Sequence, residues 1–188
     1  PYVVTGDLIV PKGVTLTIDP AVWVGIQSQQ TMIVAGELHA VGTEEDPITF
    51  TRYPGETWGG EISFRGENID SISATGIIEH CNFSHLESWL GTNPNAPLNA
   101  THANLTVRNC SFDTMEVPGG TVNPETITAI DSLVTLTGNT FTHVGGGIGL
   151  QGCAGTIASN HITDVLFNSD GIDVLEVWQG PGDPSVFI

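Results

Sequence analysis

A short motif recurs at a fixed distance in the second half of this 188-residue chain. The segments IEHCNF from Ile78, VRNCSF from Val107 and LTGNTF from Leu136 start 29 residues apart, and IASNHI from Ile157 follows 21 residues after the third. Each has an aliphatic residue, then Cys or Asn three positions later, then Phe or Ile two positions after that. Such repetition constrains the fold strongly, because every repeat must be one unit that packs on its neighbours.

The motif alternates in the way that is typical of strand, turn and strand, and helical periodicity is absent. A period near 21 residues is too short for a βαβ unit but matches one turn of a coil whose short strands join separate parallel sheets. Like residues then stack on like. We predict one interior column of Ile78, Val107, Leu136 and Ile157, a second of Phe83, Phe112, Phe141 and Ile162, and a third of Cys81, Cys110, Asn139 and Asn160.

The first half alternates Val, Ile, Leu, Phe and Thr, with Gly, Pro and Asp at the turns. From Tyr2 to Phe64 it resembles the opening of right-handed parallel β-helix repeat proteins of the pectin-lyase-like superfamily, on the elements GDL, GVTLTI, GEL, PITF and WGGEI. Ala21 stands where such proteins usually have glycine, so we expect a differently shaped turn there. The predicted fold is all-β, a single-stranded right-handed parallel β-helix, forming one solenoid domain over residues 1–188.

Charge limits the partners of this chain. Its 21 Asp and Glu residues face only 4 Lys and Arg, for a formal net charge of −17. Nucleic acid and anionic membranes need a basic surface, so we predict neither as a partner. No run approaches the roughly 18 apolar residues of a membrane span, so we predict no membrane insertion. The chain begins at Pro1 without a signal peptide, and we interpret it as a mature chain or a piece of a longer extracellular or cell-surface protein.

Three cysteines, Cys81, Cys110 and Cys153, are too few for a disulfide-rich scaffold. Stacked side chains point the same way, with Cβ atoms farther apart than a disulfide needs, so we predict buried, reduced thiols. Asn-x-Ser/Thr triplets at Asn82, Asn99, Asn104 and Asn109 become glycosylation sites only in a glycosylating compartment.

The segment NSDGID, residues 168–173, resembles the Asn-Thr-Asp-Gly segment of polygalacturonase-type glycoside hydrolases. This resemblance implies a catalytic role for Asp170, and Asp173 is the other candidate acid. The partners that the family supplies, an Asp-Asp pair and a Gly-His-Gly, are missing from the sequence. Asp-Gly is also what a coil turn requires. We therefore predict turn residues and no catalytic site, and keep a polysaccharide hydrolase or lyase as the alternative.

A lyase of the pectate type needs calcium, an acidic cluster and a base. None of Lys12, Arg52, Arg65 and Arg108 lies beside an obvious acidic cluster in the repeat register. We predict no cofactor and no metal site, with calcium as the one possible cation. An outward ladder of Ser84, Asp113, Thr142 and Thr163, followed by His85, Thr114, His143 and Asp164, is interpreted as a solvated strand face.

The 29-residue spacing predicts two insertions, Leu86–Ala100 and Met115–Thr126, that project side by side from one edge. Loops carry function more often than scaffold does. The candidate ligand-binding residues, for a carbohydrate, are Trp89, Asn93 and Asn95 on the first insertion and Asn123 and Glu125 on the second. Equally, Trp89 can serve only to pin its loop to the coil.

Fold alone does not give function. The open ends of a β-helix present unpaired backbone and apolar side chains, which proteins normally cover. We therefore predict a structural or binding module that associates end to end, either with another copy of itself or with adjacent domains of the same protein.

Overall fold

The computed structural model describes residues 1–67, 73–87, 96–115, 125–165 and 171–177, with side chains described in these ranges except at 174–177. The chain forms nineteen strands in this part. None of its described segments is a helix long and apolar enough to cross a membrane.

The strands follow one another in seven coils. The first three coils contain β1 (Tyr2–Val4), β2 (Leu8–Val10), β3 (Thr15–Ile18); β4 (Trp23–Ile26), β5 (Thr31–Val34), β6 (Glu37–Val41); and β7 (Ile48–Arg52), β8 (Glu61–Arg65), β9 (Ala74–Glu79). The next two contain β10 (Cys81–Ser84), β11 (Leu98–Thr101), β12 (Ala103–Arg108); and β13 (Ser111–Met115), β14 (Glu125–Ile130), β15 (Leu133–Thr137). The last two contain β16 (Thr140–Val144) and the long β17 (Gly146–Ala158); and β18 (His161–Val165) and β19 (Ile172–Val177).

Each strand pairs in parallel with the equivalent strand of the next coil, which produces three sheets. Sheet A has the order β1-β4-β7-β10-β13-β16-β18. Sheet B has the order β2-β5-β8-β11-β14-β17-β19, and sheet C has the order β3-β6-β9-β12-β15-β17. Strand β17 belongs to both because its first half pairs with β14 and its second half with β15. The chain therefore visits sheets A, B and C in turn, which confirms the predicted parallel β-helix.

The interior columns lie as the repeat predicted. Val107 pairs with Ile78 on one side and Leu136 on the other, and Leu136 pairs with Ile157. All four side chains are buried. Because side chains alternate between the two faces of a strand, this register places the same position of every coil inside the solenoid.

An aromatic stack runs through the inner side of sheet A. Phe83 pairs with Phe112, Phe112 with Phe141, and Phe141 with Ile162, as predicted. The column also extends one coil further, to Phe50. The four rings are stacked with centroids 5.0, 4.7 and 4.8 Å apart and planes within 8° of parallel. Such pairs contribute about 0.5–1.5 kcal/mol each beyond their buried area.

Left-handed residues form the corners between the sheets. The A-to-B corner has them at His85, Thr114, His143 and Asp164, the B-to-C corner at His102, Asp131 and Gly152, and the C-to-A corner at His80, Asn109, Gly138 and Ser159. Ala21 also adopts this conformation, with φ 62°. The turn at Ala21 thus keeps the backbone that glycine would favour, and the expectation of a differently shaped turn was wrong.

At the C-to-A corner, Asn side chains accept hydrogen bonds from backbone N–H groups in place of backbone carbonyls. The backbone N–H of Cys110 donates to Asn139 Oδ1 at 3.0 Å, and the N–H of Asn139 donates to Asn160 Oδ1 at 3.0 Å. Asn139 Nδ2 in turn donates to the Val107 carbonyl at 3.0 Å. Asn139 is fully buried, so every one of these bonds satisfies a polar group that water cannot reach.

The three cysteines are free and buried, which confirms the predicted reduced thiols. The N–H of Cys81 donates to Cys110 Sγ at 3.4 Å, so the sulfur occupies the place that an asparagine oxygen takes in later coils. The hydrogen bond with the Cys110 thiol, together with burial, raises the pKa of Cys81 far above its usual range. Burial raises the pKa of Cys153 to about 11 from an ordinary value of 9.0.

Replacing Asn139 should weaken the fold markedly. Asn139→Ala leaves the Cys110 N–H without its acceptor and removes the side-chain donor to the Val107 carbonyl, and an unsatisfied buried group costs about 1–3 kcal/mol. We expect urea denaturation to give a free energy of unfolding lower by about 2–4 kcal/mol. The control, Asn104→Ala, changes an exposed residue on the outer side of sheet C and should shift stability by less than about 0.5 kcal/mol. Equal effects of the two substitutions would contradict the corner's role.

The raised thiol pKa of Cys153 makes stability depend on pH. In the unfolded chain the thiol ionises from its ordinary value of 9.0, whereas in the folded chain it stays protonated up to about 11. Its contribution is therefore complete below the lower value and is lost as pH rises through the higher one. We expect the urea midpoint to fall less steeply in Cys153→Ala than in the unaltered protein between about pH 8 and pH 10.5. Parallel profiles would show that Cys153 titrates alike in both states.

Candidate functional site

The outer face of sheet B carries a polar column across five coils. Strand pairing aligns the outward positions Ser63, Asn99, Thr128, Gly149 and Asp173. The inward neighbours Ile62, Leu98, Ile127 and Ile148 are buried in the core. The alternation of these strands therefore presents a line of hydrogen-bonding groups on a rigid hydrophobic base.

The part of this column in the third and fourth coils is a cluster of polar side chains joined by hydrogen bonds. Ser63 Oγ donates to Asn99 Oδ1 at 2.5 Å, and Asn99 Nδ2 donates to the Ala96 carbonyl at 2.9 Å. Arg65 Nε donates to Ser63 Oγ at 2.9 Å, and its Nη2 lies 3.9 Å from a carboxylate oxygen of Glu61. Glu61 is only 2% exposed. The half-exposed guanidinium therefore lies beside a hydroxyl and a buried carboxylate.

Three of the four cationic side chains pair with single carboxylates. Lys12 pairs with Glu67 at 2.9 Å, Arg65 lies 3.9 Å from Glu61, and Arg108 pairs with Glu79 at 3.3 Å. Arg108 and Glu79 lie on neighbouring coils, Arg65 and Glu61 lie on one strand, and Lys12 and Glu67 belong to the first and third coils.

Glu125 and Asp173 lie on the same outer face, in the fifth and seventh coils. The Cγ atom of Glu125 lies 2.9 Å from the place where a Cβ on Gly149 would be, and its Oε2 lies 3.4 Å from that place. The side chain of Glu125 thus covers Gly149, whose in-register neighbours are Thr128 and Asp173. The missing side chain at Gly149 makes the room that Glu125 occupies.

The predicted insertions enter at the A-to-B edge, beside this face. The flanking strands end at Ser84 and Met115 and resume at Leu98 and Glu125, so Leu98–Ala100 and Glu125–Thr126 belong to strands rather than to insertions. Trp89, Asn93, Asn95, Asn123 and Asp170 lie outside the described residues. Asp173, interpreted from sequence as a turn residue, lies within β19 instead.

The outward ladder at the same edge brings three titratable groups together. His143 Nδ1 lies 3.2 Å from Asp113 Oδ1, and His143 Nε2 lies 3.9 Å from Asp164 Oδ2. In the fourth coil, two coils from His143, burial and the charge of Arg52 lower the pKa of His85, against the opposing effect of Asp113. Over the described ranges, no group of three or more His, Cys, Asp or Glu residues is arranged to hold a metal ion.

The N-terminal end of the solenoid holds an apolar cavity of about 570 Å³. Its lining includes Tyr2, Val4, Leu8, Leu16, Val22 and Met32. Tyr2 is 68% exposed although it lies in register with the buried Val24 of the next coil. Inward-facing positions of the first coil are therefore partly open to solvent.

Comparison with known proteins yields no relative. No family model matches the chain, and neither the curated proteins nor the solved structures contain a significant match. The function of the chain is therefore inferred from its own geometry.

Ser63, Asn99 and Arg65 were not predicted as a group from the sequence. Asn99 was noted only as a glycosylation triplet, but the structure leaves it 1% exposed with its amide in hydrogen bonds. The signal that was available is strand alternation: Glu61, Ser63 and Arg65 fall on the polar side of the EISFR strand.

The two polar side chains Asn99 and Thr128 of this column should respond oppositely to substitution. Asn99→Ala removes the acceptor of the Ser63 hydroxyl proton and the donor to the Ala96 carbonyl, which should lower the free energy of unfolding by about 2–3 kcal/mol. Thr128 Oγ1 is buried and has no hydrogen-bond partner among the described residues. Thr128→Val, of similar shape, should therefore be neutral or stabilising by up to about 1 kcal/mol. Urea denaturation measures both, and a destabilised Thr128→Val would reveal a partner for this hydroxyl.

Proposed function

We propose that this chain is a structural or binding module of an extracellular or cell-surface assembly. In this proposal its N-terminal end face docks onto another β-helical coil. The supporting observation is the apolar end cavity, because a coil of this fold buries its inward side chains only against the coils on either side of it.

The end face has the chemistry that a further coil needs. Strands β1, β2 and β3 are the edge strands of sheets A, B and C, so each pairs with a neighbour on one side only. Leu8 is 37% exposed and Tyr2 is 68% exposed, although both continue inward columns. Covering apolar surface stabilises by about 25 cal/mol per Å², and pairing the edges satisfies the backbone groups.

The covering coil comes from a second copy of the chain or from an adjacent domain of the same protein. A head-to-tail contact between copies does not close on itself, so it propagates as a filament. The net charge of −17 keeps such filaments apart laterally, and salt or calcium eases their assembly by screening. The same charge argues against nucleic acid and anionic membranes as partners.

Charging the end face should abolish association. Leu8→Glu introduces a carboxylate that must be desolvated at the contact, so we expect light scattering to show a smaller mean mass than for the unaltered chain at the same salt concentration. Leu133→Glu is the matched control, because Leu133 is 38% exposed but faces outward from sheet C. It should leave the mean mass unchanged.

A persistent monomer at every salt concentration, with the amides of β1, β2 and β3 protected from hydrogen exchange, would mean that the end covers itself. Loss of association in both variants would indicate lateral contacts rather than end-to-end ones.

The second candidate is a carbohydrate-active enzyme, because Glu125 and Asp173 lie on the same outer face of sheet B. A glycosidase needs two carboxyl groups, one as acid and one as base or nucleophile. The segments that precede β11 and β14 in the sequence contain the predicted ligand-binding residues Trp89, Asn93, Asn95 and Asn123. Carbohydrate is the proposed ligand. The Asp-Asp pair and Gly-His-Gly of the resembling hydrolases are still missing.

We expect no release of reducing ends from polygalacturonate by this chain alone. Its formal charge repels a polyuronate, and the partner residues of the hydrolase motif are absent. The measurement is a reducing-end assay with and without calcium, comparing the unaltered chain with Asp170→Asn and Asp173→Asn. Activity that disappears in either variant would promote the enzyme to first candidate.

A further inference from the structure

The outer face of sheet A is a stripe of small polar side chains two residues wide. Pairing aligns Thr49, Asn82, Ser111, Thr140 and His161 in one column and Thr51, Ser84, Asp113, Thr142 and Thr163 in the other. Seven of these ten residues bear a hydroxyl, and none is Lys or Arg. All ten are exposed or half-buried. The stripe is therefore an accessible, almost uncharged array of hydrogen-bond donors and acceptors.

An aromatic side chain lies at one end of this stripe. Trp23 pairs with Thr49, and Gly25 pairs with Thr51, so both continue the two outward columns into the second coil. A Cβ on Gly25 would meet Cη2 of Trp23 and would lie 2.8 Å from Cζ3 and 3.2 Å from Cζ2. The six-membered ring of the indole thus lies across Gly25, where any other residue would displace it. Gly25 is buried beneath it, while the indole stays half-exposed.

Four polar side chains of the stripe are held in place in two hydrogen-bonded pairs. Thr51 Oγ1 and Ser84 Oγ are hydrogen bonded at 3.0 Å, and Ser111 Oγ donates to Asn82 Oδ1 at 2.7 Å. These bonds link the third coil to the fourth and the fourth to the fifth. Each of these hydroxyls retains further capacity to donate or accept, so this part of the array is ordered before a ligand arrives.

The dimensions of the stripe suit an extended polymer. Successive coils lie about 4.8 Å apart, and two outward residues of one strand lie about 6.6 Å apart. Five steps from the second coil to the seventh cover about 24 Å. The array therefore repeats the same pair of polar positions along the solenoid axis, which favours a ligand that repeats its own polar groups over a similar length.

We propose that the outer face of sheet A binds a neutral polysaccharide running along the solenoid axis. The apolar face of one sugar ring packs on the indole of Trp23, and the hydroxyls of the following sugars exchange hydrogen bonds with the Ser, Thr and Asn side chains. The net charge of −17 and the absence of Lys and Arg in the stripe select against polyuronates. This surface is separate from the end face and from sheet B, so it stands without either function proposed above.

The test is affinity gel electrophoresis of the bacterially expressed chain, which leaves Asn82 of the stripe without glycan. Native gels contain glucomannan, xylan or hydroxyethyl cellulose, and a gel with polygalacturonate provides the charged comparison. We expect retardation by at least one neutral polymer and none by polygalacturonate. Trp23→Ala should weaken binding about tenfold, the equivalent of about 1.4 kcal/mol. Trp58→Ala is the matched control, since Trp58 is half-buried but lies outside the stripe, and it should bind as the unaltered chain does.

Thr140→Glu is a second test of the stripe, needed in case Trp23→Ala does not fold. Thr140 is exposed on the stripe three coils beyond Thr49, and a carboxylate there should also weaken binding without disturbing the core. Circular dichroism and the urea midpoint verify that each variant is folded. The proposal is overturned if no neutral polymer retards the chain, if only polygalacturonate does, or if folded Trp23→Ala and Thr140→Glu are both retarded like the unaltered chain. Failure of Leu8→Glu to alter association would leave this outcome unaffected, because the end face and the stripe are assayed separately.

Discussion

In-register parallel pairing between successive coils is the constraint on which the rest of this structure depends. A coil of some twenty residues cannot bury its own apolar side chains, so it must set each of them against the same position of the next coil. The four stacked phenylalanines and the aliphatic column from Ile78 to Ile157 follow from this rule. A slip of one residue would turn every inward side chain outward, and the buried columns therefore fix the register.

The same rule explains what the sequence could predict and what it could not. The columns through Phe83 and Cys81 were predictable because the motif recurs without gaps, and identical residues stack only in one register. The position of Trp23 over Gly25 was not predictable, because the first coils share the alternation but not the motif. Burial of Asn99 was missed for another reason: alternation places it outward, and its contacts with Ser63 and Ala96 are not visible in the sequence pattern.

The expectation for Ala21 was wrong because it treated the preference of left-handed positions for glycine as a requirement. Glycine is favoured at left-handed positions because it has no Cβ, yet other residues adopt that conformation at a cost of about 1–2 kcal/mol. Nine of the eleven corner residues of sheets A, B and C are not glycine, among them His80, His102 and His143. Pairing between coils supplies the energy that holds these residues there, so corner position is encoded by spacing more than by residue type.

The outer faces of the solenoid differ although the coils behind them are alike. On sheet B, Glu61, Glu125 and Asp173 contribute carboxylates, and Arg65 adds a cation. On sheet A, the equivalent surface is mostly hydroxyls with an indole at one end. The exposed outward positions lie outside the packed columns that fix the register, so they can acquire their own chemistry at little cost in stability.

The unequal corners determine where this chain can change length. From the third coil onward the C-to-A connection has only one or two residues, and Asn139 and Asn160 close it with side-chain hydrogen bonds. The A-to-B connection varies from the single Gly145 to the thirteen residues of 85–97. The A-to-B corner can therefore accept insertions and deletions during evolution, or a peptide grafted by design, because added residues there leave the hydrogen bonds of the C-to-A corner intact. The solenoid thus has one side that is free to diversify and another that holds its pitch constant.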